Sequence, residues 1–293
     1  MIVLKKYLVL LLLVAGACSS DESSDKSKVE LDEEIKKNAI EEVGGMNEEE
    51  EEKFNFVMPS AMQITSIFSQ SDKQFSSEVV NDISNAKSYI TKVKKLFNLG
   101  IYTSDLTYSV LNNQSQLSIE YLRAVKQLSE EVGMAAIFNS GPLFERFEEY
   151  IGDKDSIINI MADLQESTDL YVKRSDQEHL AMVVFAGAWV EGMHIGMANA
   201  GDLEQGSDIV PRIVEQMTLL SNLITGLELQ PSLTDELKNS IQDIRSLRTY
   251  FENIDGVDLE MFEYDLNKIT NNHLNEIKSK VEVIRTNMIN TNS

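Results

Sequence analysis

The sequence predicts an all-α protein, a bundle of about eight helices. Three observations point there. Apolar residues recur at three- and four-residue steps from Pro59 onward, as one face of a helix requires. The chain of 293 residues holds only 4 Pro and 14 Gly, few for a fold built from tight β-turns. No stretch alternates at period two for long enough to make a strand.

The elements follow in order. Pro59 in "PSAMQITSIF" suits a first helical turn, where its missing N–H costs nothing. From Ile83 to Leu111 the spacing of Ile83, Ile90, Val93, Leu96, Phe97, Ile101 and Tyr108 predicts one long helix. Another covers Gln116 to Val132 and stops at Gly133, a natural left-handed cap. "GPLFERFEEYIG" is a short helix, and "DKDSIINIMADLQESTDLYVKR" opens on acidic residues that favour a helix N-terminus. Gln177 to Ala200 is the next helix, closed by Gly201, and from Leu180 to Ala198 it is apolar nearly all round, which marks a central helix. Three more are expected: Val210 to Leu227, Thr234 to Ile254, and Leu259 to about Asn290. Thr234 and Asp258 look like caps for the last two. The final helix has a thin apolar stripe, so it is expected on the outside of the bundle. One domain over residues 58–290 accounts for this pattern, with a possible sub-boundary near residues 201–207.

Before the helices lies a different kind of sequence. Lys5 and Lys6 make a basic start, Tyr7 to Val14 a short Leu-rich run, and Ala15-Gly16-Ala17 a small-residue site directly before Cys18. That is the layout of an export signal over residues 1–17. The apolar run is too short for a lasting membrane span, which needs about 20 residues. Cys18 is the single cysteine of the chain, so no internal disulfide can form. Its position resembles a bacterial lipobox, with Ala15 where Leu is commoner. The resemblance implies that Cys18 is lipidated and becomes the new N-terminus. Residues 18–57, from "SSDESSDKS" to the Glu run before Lys53, read as an acidic disordered tether. Ser19 after the cysteine does not resemble an inner-membrane retention signal. The expected location is the cell envelope, anchored to the outer membrane by lipid, periplasmic or surface-exposed.

Charge excludes other classes. With 26 basic and 48 acidic residues the formal net charge is −22, the wrong sign for nucleic acid or for electrostatic docking onto anionic lipid. The expected partners are the membrane, through the lipid, and a protein of the envelope.

The chemistry-bearing candidates sit in the central helix. Within "FAGAWVEGMHIGMA" the ionisable residues are Glu191 and His194, three apart and so on one face. Buried there, they need partners. Asp105, between Tyr102 and Tyr108, is a second polar group on an apolar helix; Asp169 and Tyr171 are weaker additions. A buried hydrogen-bonded network of Asp105, Tyr102, Tyr108, Glu191 and His194 is the first reading. A small-ligand pocket is the second and a metal site the third. Di-iron bundles use Glu-x-x-His twice with further Glu, and no second copy occurs here. Asp176-x-x-His179 lies too far along the same helix to complete a site. Catalytic, cofactor and metal motifs are not found: there is no phosphate loop, G-x-S-x-G or H-E-x-x-H. His273 is expected to be solvated. Ala188, Gly192 and Gly196 form a shallow stripe where a neighbour can approach.

The segments "VMPSAMQITSIF", "LFNLGIYTSDLTYSVLNNQ", "YLRAVKQLSEEVGM", "LFERFEEYIGDKDSIINIM" and "GAWVEGMHIG" together resemble a group of uncharacterised helical lipoproteins of Bacteroides-like Gram-negative bacteria. The likeness covers about residues 57 to 200 and implies a location and a helical fold, without a reaction. Imelysin-like surface lipoproteins, linked to iron, carry Gly-x-His-x-x-Glu. Here the order is reversed, as Glu191-x-x-His194, so their site is not carried over.

Overall fold

The computed structural model describes residues 64–65, 75–136, 143–175, 177–200 and 203–291. The expected signal, Cys18, the expected tether and the Pro59 helix start lie outside them. The described residues form an all-α bundle. Its helices are α1 (Lys92–Leu111), α2 (Ser115–Val132), α3 (Leu143–Glu149), α4 (Lys154–Ser175), α5 (Glu178–Asn199), α6 (Ile209–Thr218), α7 (Leu220–Glu228), α8 (Asp235–Glu252) and α9 (Asn271–Ile289). Leu219, between α6 and α7, keeps helical angles of φ −78 and ψ −15, so those two read as one helix with an offset.

The long helix expected from Ile83 is broken. Ile83–Lys87 is a 3₁₀ turn capped by the Asp82 side chain, and α1 restarts after Thr91, whose hydroxyl accepts from the Lys94 N–H. Two N-caps nine residues apart make two starts. The break turns Tyr89 inward and leaves Ile90 83% exposed, against its expected place on the buried face. α2 ends as anticipated, with Gly133 at φ 91. α8 begins after the Thr234 cap.

The last predicted helix is also cut short at its front. Asp258 does cap, accepting from the N–H groups of Glu260 and Met261, but it closes a turn. Val257–Asp258 (β1) pairs antiparallel with Glu263–Tyr264 (β2), and helix resumes only at Asn271 behind a Thr270–His273 capping box. His273 therefore has a structural partner in Thr270.

α5 is the axis. It packs most extensively against α1, which also lies along α2, and it touches α9 and α7. Along α5, Ala186, Trp189, Val190, Met193 and Ile195 are 0% exposed or nearly so. Among the described residues His179–Asn199 is long and apolar enough to cross a bilayer, and 83% of that window is buried inside the domain. The closest approach runs through other glycines than the expected stripe. A Cβ on Gly187 would sit 1.9 Å from the Phe97 carbonyl oxygen, and one on Gly100 1.9 Å from that of Val184. Ser104 adds a hydrogen bond of 3.1 Å to the Ala188 carbonyl. Backbone thus packs on backbone, which only hydrogen at Cα permits.

α9 lies on the outside of the bundle, as its thin stripe led one to expect, with Val283 55% exposed, yet that stripe is sealed. Leu274, Ile277, Val281, Ile284 and Met288 are all buried, and one hydrophobic core contains residues from both sides of the suggested 201–207 boundary. Its last turn is captured by α1: Lys94 Nζ donates to the Asn287 carbonyl and Asn98 Nδ2 to that of Met288. A cation and an amide at a helix C-terminus satisfy orphan carbonyls and complement the dipole.

Candidate functional site

Glu191 and His194 do not pair with each other. Each meets a residue of α9. Arg285 Nε and Nη2 donate to the two oxygens of Glu191 at 2.6 and 2.8 Å. His194 Nδ1 lies 2.7 Å from Glu282 Oε1. Residues 191 and 194 therefore meet 285 and 282, which makes the helices antiparallel at this crossing. The spacing of three on both is what lets two pairs form side by side.

A stretch of main chain, residues 75–82, lies over the pairs; we term it the strap. It has no regular secondary structure, so its polar groups need side-chain partners where it is buried. The cluster supplies them. The Val79 carbonyl is 2.9 Å from His194 Nε2 and accepts from Arg285 Nη2 at 3.2 Å. The Asn81 N–H donates to Asp105 Oδ2 at 3.2 Å. Tyr121 and Tyr102 hydroxyls donate to the carbonyls of Asn81 and Asp82, each at 2.8 Å. The Ser76 N–H donates to the Tyr108 hydroxyl at 3.3 Å, which in turn donates to Asn199 Oδ1. The Asn81 side chain, 2% exposed as a residue, reaches Tyr89 and Asn98.

Asp105, Tyr102, Tyr108, Glu191 and His194 are thus brought into one connected set. Asp169 and Tyr171 are not: Asp169 accepts from Gln165 and Tyr171 donates to the Gly133 carbonyl. Sequence reasoning missed Arg285, Glu282 and Tyr121. Arg285 carried a signal: it sits four residues after Val281 and three before Met288, on the buried stripe of its helix. A charge on such a stripe requires a buried counter-charge.

Electrostatics explain how three carboxyls coexist. Asp105 is 0% exposed, and Oδ1 meets no donor. Burial, and next the charge of Glu191, push its carboxyl well above the ordinary range, with Glu191 as its hydrogen-bond neighbour. Two carboxylates cannot donate to one another, so the contact is satisfied by a proton on Asp105. Glu282 behaves oppositely. Burial resists its charge, but the His194 bond and the nearby cations hold it below its usual value. Burial raises the phenols of Tyr102 and Tyr121, which keeps them donors.

His194 faces acceptors on both sides, a carboxylate and a carbonyl. A neutral imidazole has one N–H, so only the imidazolium satisfies both. With that assignment two carboxylates, Glu191 and Glu282, face two cations, Arg285 and His194, and the cluster is neutral. Neither ring nitrogen has a lone pair left for a metal. Among the described residues no group of three or more His, Cys, Asp or Glu is placed to hold one. Compared with known proteins, the chain matches no family model, no curated protein and no solved structure.

Proposed function

We propose that the protein is a lipid-anchored α-helical protein of the bacterial outer membrane that works by binding or assembly, without a reaction of its own. The observation that carries this is the N-terminal run that ends Ala15-Gly16-Ala17-Cys18, with two lysines and an apolar stretch before it. The resemblance to envelope lipoproteins supports the same place. Two acyl chains or more hold a protein stably at a bilayer.

The site geometry supports a role without catalysis. Both oxygens of Glu191 and both nitrogens of His194 are engaged by the chain's own groups. They hold the strap, and reacting atoms would find no free base or ligand there. The alternative, a small-ligand or metal site around Asp105, Glu191 and His194, requires Val79 and Glu282 to let go of His194 first.

The test of the anchor is Cys18→Ala. The parent is expected to partition with membranes and to carry acyl chains by mass spectrometry; the variant is expected in the soluble fraction at its unmodified mass. A variant that still sediments with membranes would refute the anchor. Metal analysis of the purified protein beside Glu191→Gln separates the alternative: near-stoichiometric metal lost in the variant would favour it.

A further inference from the structure

The His194 ring is held between a carboxylate and the strap, and its two bonds can coexist only while it carries two protons. We propose that His194 is a proton-operated latch that keeps residues 75–82 closed over the Glu191–Arg285 pair when protonated and frees them when it is not.

The geometry gives the direction. The bond to Glu282 Oε1 at 2.7 Å is charge-assisted and the stronger of the two. On losing one proton the ring therefore keeps Nδ1–H toward Glu282. Nε2 then turns a bare lone pair on the Val79 carbonyl oxygen 2.9 Å away, and acceptor meets acceptor. Arg285 Nη2, at 3.2 Å and shared with Glu191, is left as the donor to that carbonyl.

Facing the ring region are Glu282 and Arg285 from α9, Glu191 from α5 itself, and Asp105 from α1 beyond Glu191; Glu78 and Asp82 flank the carbonyls on the strap. Asp105, the strap's other deep contact, holds a proton in the closed form. Ionising it as the pH rises would strengthen the bond it accepts from the Asn81 N–H, so this contact opposes opening, and the fall in protection has to come from His194. The strap is suited to open alone: Glu78 and Asp82 are exposed, and its ties are hydrogen bonds to side chains, with no helix or sheet ladder to unzip.

Hydrogen exchange on the full chain, corrected for intrinsic rates, reads the latch through the Ser76 and Asn81 amides, with α1 amides as the reference. Between pH 5.5 and 8.5 protection of residues 75–82 is expected to fall about tenfold or more, since one coupled proton changes an equilibrium by up to tenfold per pH unit, while α1 stays protected. Glu282→Gln is the decisive variant. Its amide can donate to Nδ1 of a neutral ring while Nε2–H still reaches Val79, so the strap is expected to stay protected at pH 8.5. Glu282 lies at the cluster's edge with a side chain 38% exposed, so the substitution leaves the core intact. His194→Gln is expected to lose the pH response. Unchanged protection in the parent across this range would overturn the proposal, as would a Glu282→Gln variant that opens like the parent. A response abolished by Asp105→Asn and kept in Glu282→Gln would move the switch to Asp105 and overturn it too.

Discussion

Arg285→Met removes the guanidinium whose Nε and Nη2 lie 2.6 and 2.8 Å from the two oxygens of Glu191. Glu191 is 0% exposed, and its remaining hydrogen-bond neighbour Asp105 is another acid. The carboxylate must then stay charged without a counter-ion or take a proton, and the Val79 carbonyl loses a donor as well. Breaking one side of a buried ion pair costs about 3 to 5 kcal/mol. For a domain of this size that is a fall in Tm of about 6 to 20 °C. Urea unfolding followed by circular dichroism, at pH 7 and constant salt, gives the free energy; thermal unfolding gives Tm. The second arm is the double variant Arg285→Met/Glu191→Gln. With both charges gone, the amide can donate to Asp105, and most of the loss is expected to return, a coupling of about 2 kcal/mol or more. A single variant within about 1 kcal/mol of the parent, or a double variant no better than the single, would refute the buried pair.

Gly187→Ala places a methyl 1.9 Å from the Phe97 carbonyl oxygen and forces α1 and α5 apart. The expected loss is about 3 kcal/mol, the upper end for overpacking. Gly152→Ala, where a Cβ meets nothing within 4 Å, is the control and is expected within about 0.5 kcal/mol of the parent; equal urea midpoints for the two would contradict the close contact. Asp105→Asn mimics the protonated acid. The folded carboxyl lies above its unfolded value near 3.9, so its contribution is complete below about pH 4 and is lost as the pH climbs toward the folded value. The variant is therefore expected to gain stability over the parent as the pH rises from 4 to 8, read as diverging Tm curves; parallel curves would show that Asp105 holds no proton in the fold.

Much of this was legible in the residues. The all-α fold followed from periodicity, because a buried helix face has to repeat near 3.6 and little else does. Glu191, His194, Asp105, Tyr102 and Tyr108 stood out as polar groups on apolar helices, and the fold gathers them around one strap. What connects them was harder to read. The break at residues 88–91 lacks Gly and Pro and depends on the Asp82 and Thr91 caps, which look like any surface Asp and Thr in a helical pattern. The β1–β2 hairpin pairs only two residues on each side, below the reach of any alternation signal. Arg285 and Glu282 were hidden by the polar composition around them, since the average over a helix outweighs one charged edge. The strap had no signal of its own. Its ties are main-chain groups, which every sequence has.

The ion pair at the centre also bears on the order in which the chain can become a protein. Glu191 and Arg285 are separated by 94 residues. A chain that emerges from a ribosome or an export pore N-terminus first presents its most apolar helix long before the cation that neutralises it. Until α9 arrives, packing α5 against α1 would bury a bare carboxylate, so the early helices gain little by closing and the core is sealed late. Such a long-range contact slows folding. Under the export proposed above, in which the chain would be threaded unfolded, that delay would be useful: the late counter-ion would act as a timer that keeps the core open until the thread has passed.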